Sequence, residues 1–267
     1  MQKLKAYFDS FWRYRYLLMN LVGRDFKLKY RRSVLGVLWS VLNPLLMCVV
    51  YWVVFSSMPG FRGNIPNFPV YLLCGQLMFS FFNDSTTSGM GSVVYAAQLL
   101  KKVYIPKYIF PLQKCCFALV NCVFSCVALF IVMLVTGNPL HPTILLAVYP
   151  MVTLFLFNFG VALFLSAFTV FFRDVMHMWQ VFTTALMYFS AVFYDPATLG
   201  SIGGFNVQSL IRINPLYWYI TGFRQAVLYG EVFSPTMVLV CGGCAAFSML
   251  VGLVTFKKTQ DKFVLHI

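Results

Sequence analysis

Gln76, Ser80, Asn83, Asp84 and Thr87 recur three and four residues apart, so on a helix they share one face, which Gly91 extends and Ser85, Thr86 and Ser88 widen. Such a strip makes and breaks no bonds. It offers hydrogen bonds, and water, to something polar crossing apolar surroundings. A carboxylate near mid-membrane costs about 2.5–3.5 kcal/mol on insertion scales and ordinarily faces a bundle interior or a wet cavity. Two readings stand: the strip lines a hydrated path, or it ties packed helices together by hydrogen bonds. Its length exceeds one packing contact, which favours the path.

Enzymatic chemistry has little to work with. The seven acidic residues are Asp9, Asp25, Asp84, Asp174, Asp195, Glu231 and Asp261, and no two are close enough in sequence to suggest acid–base partners. His141, His177 and His266 are isolated, with no metal-binding spacing. No catalytic residue and no metal site are expected. No G-x-x-x-x-G-K-[ST] loop is present, so ATP and its magnesium, if used, sit on another subunit, and no cofactor is expected in this chain. Cys241-Gly-Gly-Cys244 has redox-like spacing, but it stands beside Ala245 and Ala246 inside an apolar segment. Small residues there let helix backbones approach closely, and packing is the stronger reading than redox or metal chemistry.

Aromatic residues make up 18% of the chain. Tyr51, Trp52 and Phe55 cluster in one apolar segment, and Phe182, Leu186, Phe189 and Phe193 share a face of another, with Tyr188 and Tyr194 nearby. Aromatic faces suit the C–H faces of sugar rings, which slide over them without fixed hydrogen bonds. Tyr51, Phe55, Phe189 and Phe193 therefore join the candidate path, against the alternative that they face lipid.

The elements that must carry these residues are membrane spans. The chain of 267 residues is 60% hydrophobic and 10% charged, far from the soluble norm of about 25% charged. Stretches of about 20 apolar residues, enough to cross, fall near 34–58, 70–97, 111–135, 144–172, 175–194 and 237–256. The expectation is an all-α integral membrane protein of six transmembrane helices over 34–256. A cytoplasmic N-terminus (1–33) precedes them and a cytoplasmic tail (257–267) follows. All Lys and Arg except Arg62, Arg212 and Arg224 then fall on one side, which places both termini in the cytoplasm. The net charge of +13 lies beside spans, so anionic lipid is the expected partner and nucleic acid is not. No cleavable signal peptide is visible, because the first thirty residues mix aromatics with charges.

Three further segments carry signals. Leu4, Phe8, Phe11, Trp12, Leu18, Leu21 and Val22 approximate one face of a helix among basic residues; this fits an amphipathic helix in the headgroup region, or a plain basic flank. Leu99, Leu100, Lys101, Lys102, Val103, Tyr104, Ile105, Pro106 and Lys107 form a basic, proline-broken loop, either a short helix pressed on a partner protein or a solvated loop. The outer segment 195–234 contains Asn214, Pro215, Tyr217, Trp218 and Tyr219 at the head of about 14 apolar residues, too short to span. It fits a re-entrant segment at the mouth of a cavity, or a membrane-surface helix, with the aromatics at headgroup depth.

The stretch Lys27-Leu-Lys-Tyr-Arg-Arg-Ser-Val-Leu-Gly-Val-Leu-Trp-Ser-Val-Leu-Asn-Pro44 closely resembles the permease subunits of type-2 ABC exporters for polysaccharides, the O-antigen, capsule and teichoic-acid transporters. Leu99–Pro106 resembles that family's coupling-helix loop, Phe172-Arg-Asp174 its junction between spans four and five, and Asn214-Pro215 the start of its outer gate helices. The resemblance runs over essentially the whole chain.

What it implies is a homodimer joined to two ATP-binding-cassette subunits in a bacterial inner (plasma) membrane. The cargo would be a lipid-linked polysaccharide or teichoic-acid-like polymer moved outward, and coupling would pass through Leu99–Lys107 and the N-terminal helix. In that frame Arg31 and Arg32 are candidates for a lipid pyrophosphate, since paired guanidinium forks suit phosphate, with snorkelling as the competing role. A long polymer cannot be enclosed and flipped, so a continuous channel with weakly binding aromatic walls and an outer gate is expected. The rivals are a type-2 exporter of small hydrophobic drugs or lipids, and a membrane enzyme acting on lipid-linked sugars.

Overall fold

The computed structural model describes residues 2–31, 33–57, 63, 65–103, 105–198, 201–202 and 205–263, the side chains of 2–13 and 201–207 excepted. Among the described residues the chain is α-helical, with one small pair of two-residue antiparallel strands, Ser201–Ile202 and Phe205–Asn206. The helices are α1 (Gln2–Tyr30), α2 (Trp39–Ser56), α3 (Phe68–Tyr95), α4 (Ala97–Leu100), α5 (Ile109–Val135), α6 (Val148–Phe171), α7 (Val175–Tyr188), α8 (Val207–Ile213), α9 (Pro215–Arg224) and α10 (Pro235–Thr259). Among the described residues, four helical stretches are long and apolar enough to cross a membrane: Gly36–Ser56, Ile109–Val135, Pro142–Phe171 and Pro235–Lys262.

Two of the six expected spans differ in kind from these four. Helix α3 has 28 residues, about 42 Å at 1.5 Å per residue, which is length enough; its polar strip is what lowers its apolarity. Helix α7 is shorter than expected. The expected span over 175–194 is a helix of 14 residues that stops at Tyr188, about 21 Å. The chain then turns through Ala191, whose φ is +50°. The reason lies outside the segment. Carbonyls after the last helical turn are taken by side chains from afar: Phe189 by Asn214 Nδ2 at 3.1 Å, and Ala191 and Val192 by Arg224 at 2.9 and 2.8 Å. With their acceptors so engaged, these residues have no need of a further helical turn.

Helix α3 is the centre of the bundle, packed between α5, α6 and α2 and touched by α9 and α7. It starts where Asn67 accepts a hydrogen bond from Val70 N and Pro69 occupies the first turn. Asn67 also donates to Thr136 Oγ1 at 2.8 Å, tying the start of α3 to the end of α5. Helices α6 and α10 meet along a stripe of small residues, Cys241, Ala245, Ser248 and Gly252, all buried. Gly252 lies against the backbone of Gly160, and Gly160 against that of Ser248, so closely that a Cβ on either glycine would collide. Here the small residues of the sixth apolar segment serve packing, as expected in lipid. The stripe includes Cys241, Gly242 lies near the Tyr149 hydroxyl of α6, and a Cβ on Gly243 would meet nothing within 4 Å; all eight cysteines are free thiols.

Candidate functional site

The open face of α3 carries Gln76, Ser80 and Asp84, spaced four apart; Ser80 and Asp84 are exposed and Gln76 half-buried. They line a cavity of about 280 Å³ together with residues of α1, α2 and α5. A second cavity of about 240 Å³ adjoins it, sharing Asn43, Gln76 and Ser80, and its walls include Tyr51 and Phe193. The two form a track along α3, with Lys29, Tyr30 and Asp84 at one end and the aromatic pair at the other. Phe55 stacks on Phe193 with ring centroids 5.0 Å apart and planes 4° from parallel, and Tyr51 packs on Phe193 at 4.7 Å.

The entry of α2 is shaped for this track. Pro44 has no N–H to give the carbonyl of Ser40, one turn earlier, which inside a membrane must find another donor. Ser125 of α5 supplies it, its hydroxyl donating to Ser40 O at 3.1 Å. Both serines, with Asn43 and Pro44, line the first cavity. The proline therefore brings a polar patch of α2 against α5.

The polar strip is narrower than its sequence suggested. Ser85 and Thr86 turn inward: Asn158 of α6 donates to Ser85 Oγ at 3.3 Å, and the Trp179 indole of α7 donates to Thr86 Oγ1 at 3.2 Å. These two are packing contacts, so both readings hold on different faces of one helix. Asn83 and Thr87 are half-buried and bond one another at 3.4 Å, away from the cavities. Phe189 is 48% exposed and lines neither cavity.

Several lining residues carry no sequence signal as a group. Lys29 and Tyr30 come from the end of α1, and Asn121 from the middle of apolar α5. Tyr30 Oη, Gln76 Oε1 and Asn121 Oδ1 are buried and have no hydrogen-bond partner among the described residues. A lone asparagine in an apolar span is the signal that was available.

The outer segment is anchored by charge. Arg224, at the end of α9, is 3% exposed. It donates to the carbonyls of Tyr71, Ala191 and Val192, and its guanidinium lies 3.4 Å from the Tyr71 ring centroid. Asn214 caps α9 by accepting from Leu216 N at 3.0 Å, with Pro215 following in the first turn. Tyr217 and Trp218 are half-buried, whereas Tyr219 is fully buried and donates to Cys241 O at 2.8 Å. The difference follows from helical phase: Tyr219 is the aromatic that points at α10.

At the opposite end, Leu99 and Leu100 of α4 pack with Ile105 against Leu17, Leu18 and Leu21 of α1. Lys101, Lys102 and Val103 are exposed, and Pro106 is half-buried. Lys107 donates to Gln260 O near the end of α10. Asp25 of α1 accepts from Gln113 and Lys114 of α5, each at 2.5 Å. The loop is thus held between α1 and α10 with its basic tip exposed. Arg31 is exposed and borders a groove with Arg24 and Lys27. Arg32 and Tyr104 lie outside the described residues.

Comparison with known proteins adds a family. Residues 16–228 match the ABC-2 type transporter family. The chain is 33% identical over 221 residues to the O-antigen export system permease protein RfbA of Myxococcus xanthus, covering 82% of each chain. It is 27% identical over 255 residues to the protein of the same name from Klebsiella pneumoniae, covering 92% of this chain and 93% of that one.

Proposed function

This chain belongs to the ABC-2 type transporter family, and from that membership we propose that it is the membrane subunit of an ATP-driven exporter of an O-antigen-like, lipid-linked polysaccharide. The observation that carries the reading is the track along α3: polar residues open into two adjoining cavities, with charge at the end beside α1 and stacked aromatics at the other. A helix held only by packing would have no reason to leave Ser80 and Asp84 exposed beside a cavity.

In this reading the four apolar helical stretches are joined by α3 and α7 as six spans, both termini lie in the cytoplasm of a bacterial inner membrane, and two copies of the chain work together. ATP and magnesium are held by a separate pair of ATP-binding-cassette subunits, which push on Leu99–Lys107. The wedge of that loop between α1 and α10 supports the role, because a force on its tip reaches both helices. The Arg31–Arg32 pair meets the lipid pyrophosphate, and α8 with α9 forms the outer gate. Sugar hydroxyls are served by Gln76, Ser80 and Asp84, and sugar C–H faces by Tyr51, Phe55 and Phe193. No bond is made in the permease itself.

Co-purification tests this directly. The native chain should carry a bound ATPase subunit whose hydrolysis is stimulated by a lipid-linked glycan, and loss of the chain should leave that glycan on the cytoplasmic side. Turnover of a lipid-linked sugar by the purified chain alone, with no ATPase partner, would refute it in favour of a membrane enzyme.

A further inference from the structure

Three unpartnered polar atoms meet at one cavity. Tyr30 Oη, Gln76 Oε1 and Asn121 Oδ1 are each buried without a hydrogen bond among the described residues, and all three residues line the chamber nearer α1. A buried polar group left unsatisfied costs stability, and such groups are few in native proteins. Asn121 is only 7% exposed and comes from a helix otherwise rich in apolar residues. Packing does not explain why three of them gather at one place. A ligand that supplies hydroxyls does, since an amide oxygen accepts and a phenol both donates and accepts.

The charges of the chamber narrow the ligand further. Its charged lining residues are Lys29 and Asp84, one cation and one carboxylate. The other polar groups are amides and hydroxyls, and Trp39 adds an aromatic face. A phosphodiester or uronate brings one negative charge per unit into a chamber whose described lining has no net positive charge and already holds a carboxylate, which is unfavourable. A neutral sugar brings only hydroxyls and an apolar ring face. The volume, about 280 Å³, is at the lower end of small-molecule pockets, which suits one or two sugar residues rather than a lipid tail.

We infer that this chamber is a recognition subsite for an uncharged, hydroxyl-rich sugar unit of the exported polymer, with Asn121, Gln76 and Tyr30 as its hydrogen-bonding residues. The inference rests on the exporter reading and deepens it, since it assigns the cargo to neutral glycans rather than polyol phosphates. It also carries a signature that ordinary structural asparagines lack. Replacing an unpartnered amide by a similarly sized apolar side chain removes a desolvation penalty from the empty protein while removing a contact from the complex. Stability and affinity then move in opposite directions.

The test uses the full chain in lipid nanodiscs, titrated with neutral hexasaccharides of glucose, mannose and rhamnose and with an oligo(glycerol phosphate) of equal length, followed by ligand-observed NMR. At least one neutral hexasaccharide should bind. Asn121→Leu and, separately, Gln76→Leu should each weaken it about tenfold, as expected for one lost buried hydrogen bond, while raising the thermal midpoint. Preferential binding of the glycerol phosphate, equal affinity in wild type and both variants, no binding of any hexasaccharide, or a lowered midpoint in both variants would each overturn the inference. In parallel, a strain lacking the gene is complemented with the wild-type chain and scored for surface glycan. Restored glycan together with a failed binding test sinks the subsite alone; wild-type complementation that restores no glycan sinks the exporter reading itself.

Discussion

The guanidinium of Arg224 lies 3.4 Å from the centroid of the Tyr71 ring while its Nε donates to the Tyr71 carbonyl at 3.3 Å, so one residue of α3 holds one residue of α9 by both face and backbone. Among the described residues Arg224 has no carboxylate partner. Its charge is met by carbonyl dipoles and a ring, and the Tyr71 hydroxyl in turn donates to Tyr194 O at 2.8 Å. The outer segment, the end of α7 and the start of α3 are thereby one unit.

Arg224→Met should dissolve that unit. It orphans the carbonyls of Ala191 and Val192, each a loss of about 1–3 kcal/mol, and removes the second donor at the Tyr71 carbonyl. Arg224→Lys should recover only part, because an ammonium lacks the planar fork that reaches several acceptors at once. Gly75→Ala tests the same contact from the other side, since its Cβ would stand 2.5 Å from an Arg224 nitrogen and 3.1 Å from Val192 O. Thermal unfolding of the purified chain in detergent should rank wild type above Lys, and Lys above Met. Equal midpoints would refute the anchoring role.

The crossing of α6 and α10 makes a second prediction. Gly160 and Gly252 touch through their backbones, and close approach of this kind is a main source of helix association in lipid. Gly252→Leu must push the helices apart and should cost more than the roughly 1–3 kcal/mol of ordinary overpacking, read as a lowered thermal midpoint. Gly243→Ala, where a Cβ meets nothing within 4 Å, should be close to neutral. Similar losses at both positions would refute the close crossing at Gly160 and Gly252.

These two contacts show what the sequence could and could not disclose. Gln76, Ser80 and Asp84 were readable because polar residues at helical spacing stand out against an apolar background. Their neighbours Ser85 and Thr86 were assigned to the same strip, and only Asn158 and Trp179, more than seventy residues away, settle that they pack inward. Asn121, Lys29 and Tyr30 had no shared periodicity, since they come from two helices whose rotation brings them to one cavity. Arg224 did leave a trace as one of the three cations outside the inside-positive set. The early end of α7 left none, because it is written in the side chains of Asn214 and Arg224.

Coupling gives a third prediction. Asp25 joins α1 to α5 just beyond the basic loop, accepting from Gln113 and Lys114. Asp25→Asn keeps the shape but removes the charge from both bonds, a loss of about 1–2 kcal/mol, too little to unfold the chain. Pro106→Ala softens the loop itself. With the partner ATPase bound, both variants should hydrolyse ATP while exporting less glycan per ATP. Normal export at a normal ratio in both would remove Leu99–Lys107 and its attachment to α1 from the coupling route.

The last prediction concerns water along α3. If the strip lines a hydrated path, its two faces must differ in reach of aqueous reagents, and the difference should follow the cavities rather than depth in the membrane. Ser80 is exposed and borders both cavities, while Ser85, little more than one turn further on, is fully buried and bonded to Asn158. In a background in which the half-buried Cys116, Cys126 and Cys244 are replaced by serine, Ser80→Cys should react with a charged, membrane-impermeant thiol reagent, and Ser85→Cys should not. A soluble neutral oligosaccharide should protect the first thiol if cargo occupies the same track. Since the reagent is charged, lipid cannot deliver it, so labelling at position 80 requires water there. Failure to label Ser80→Cys in every nucleotide state would leave the cavities dry, and a dry α3 carries no polymer.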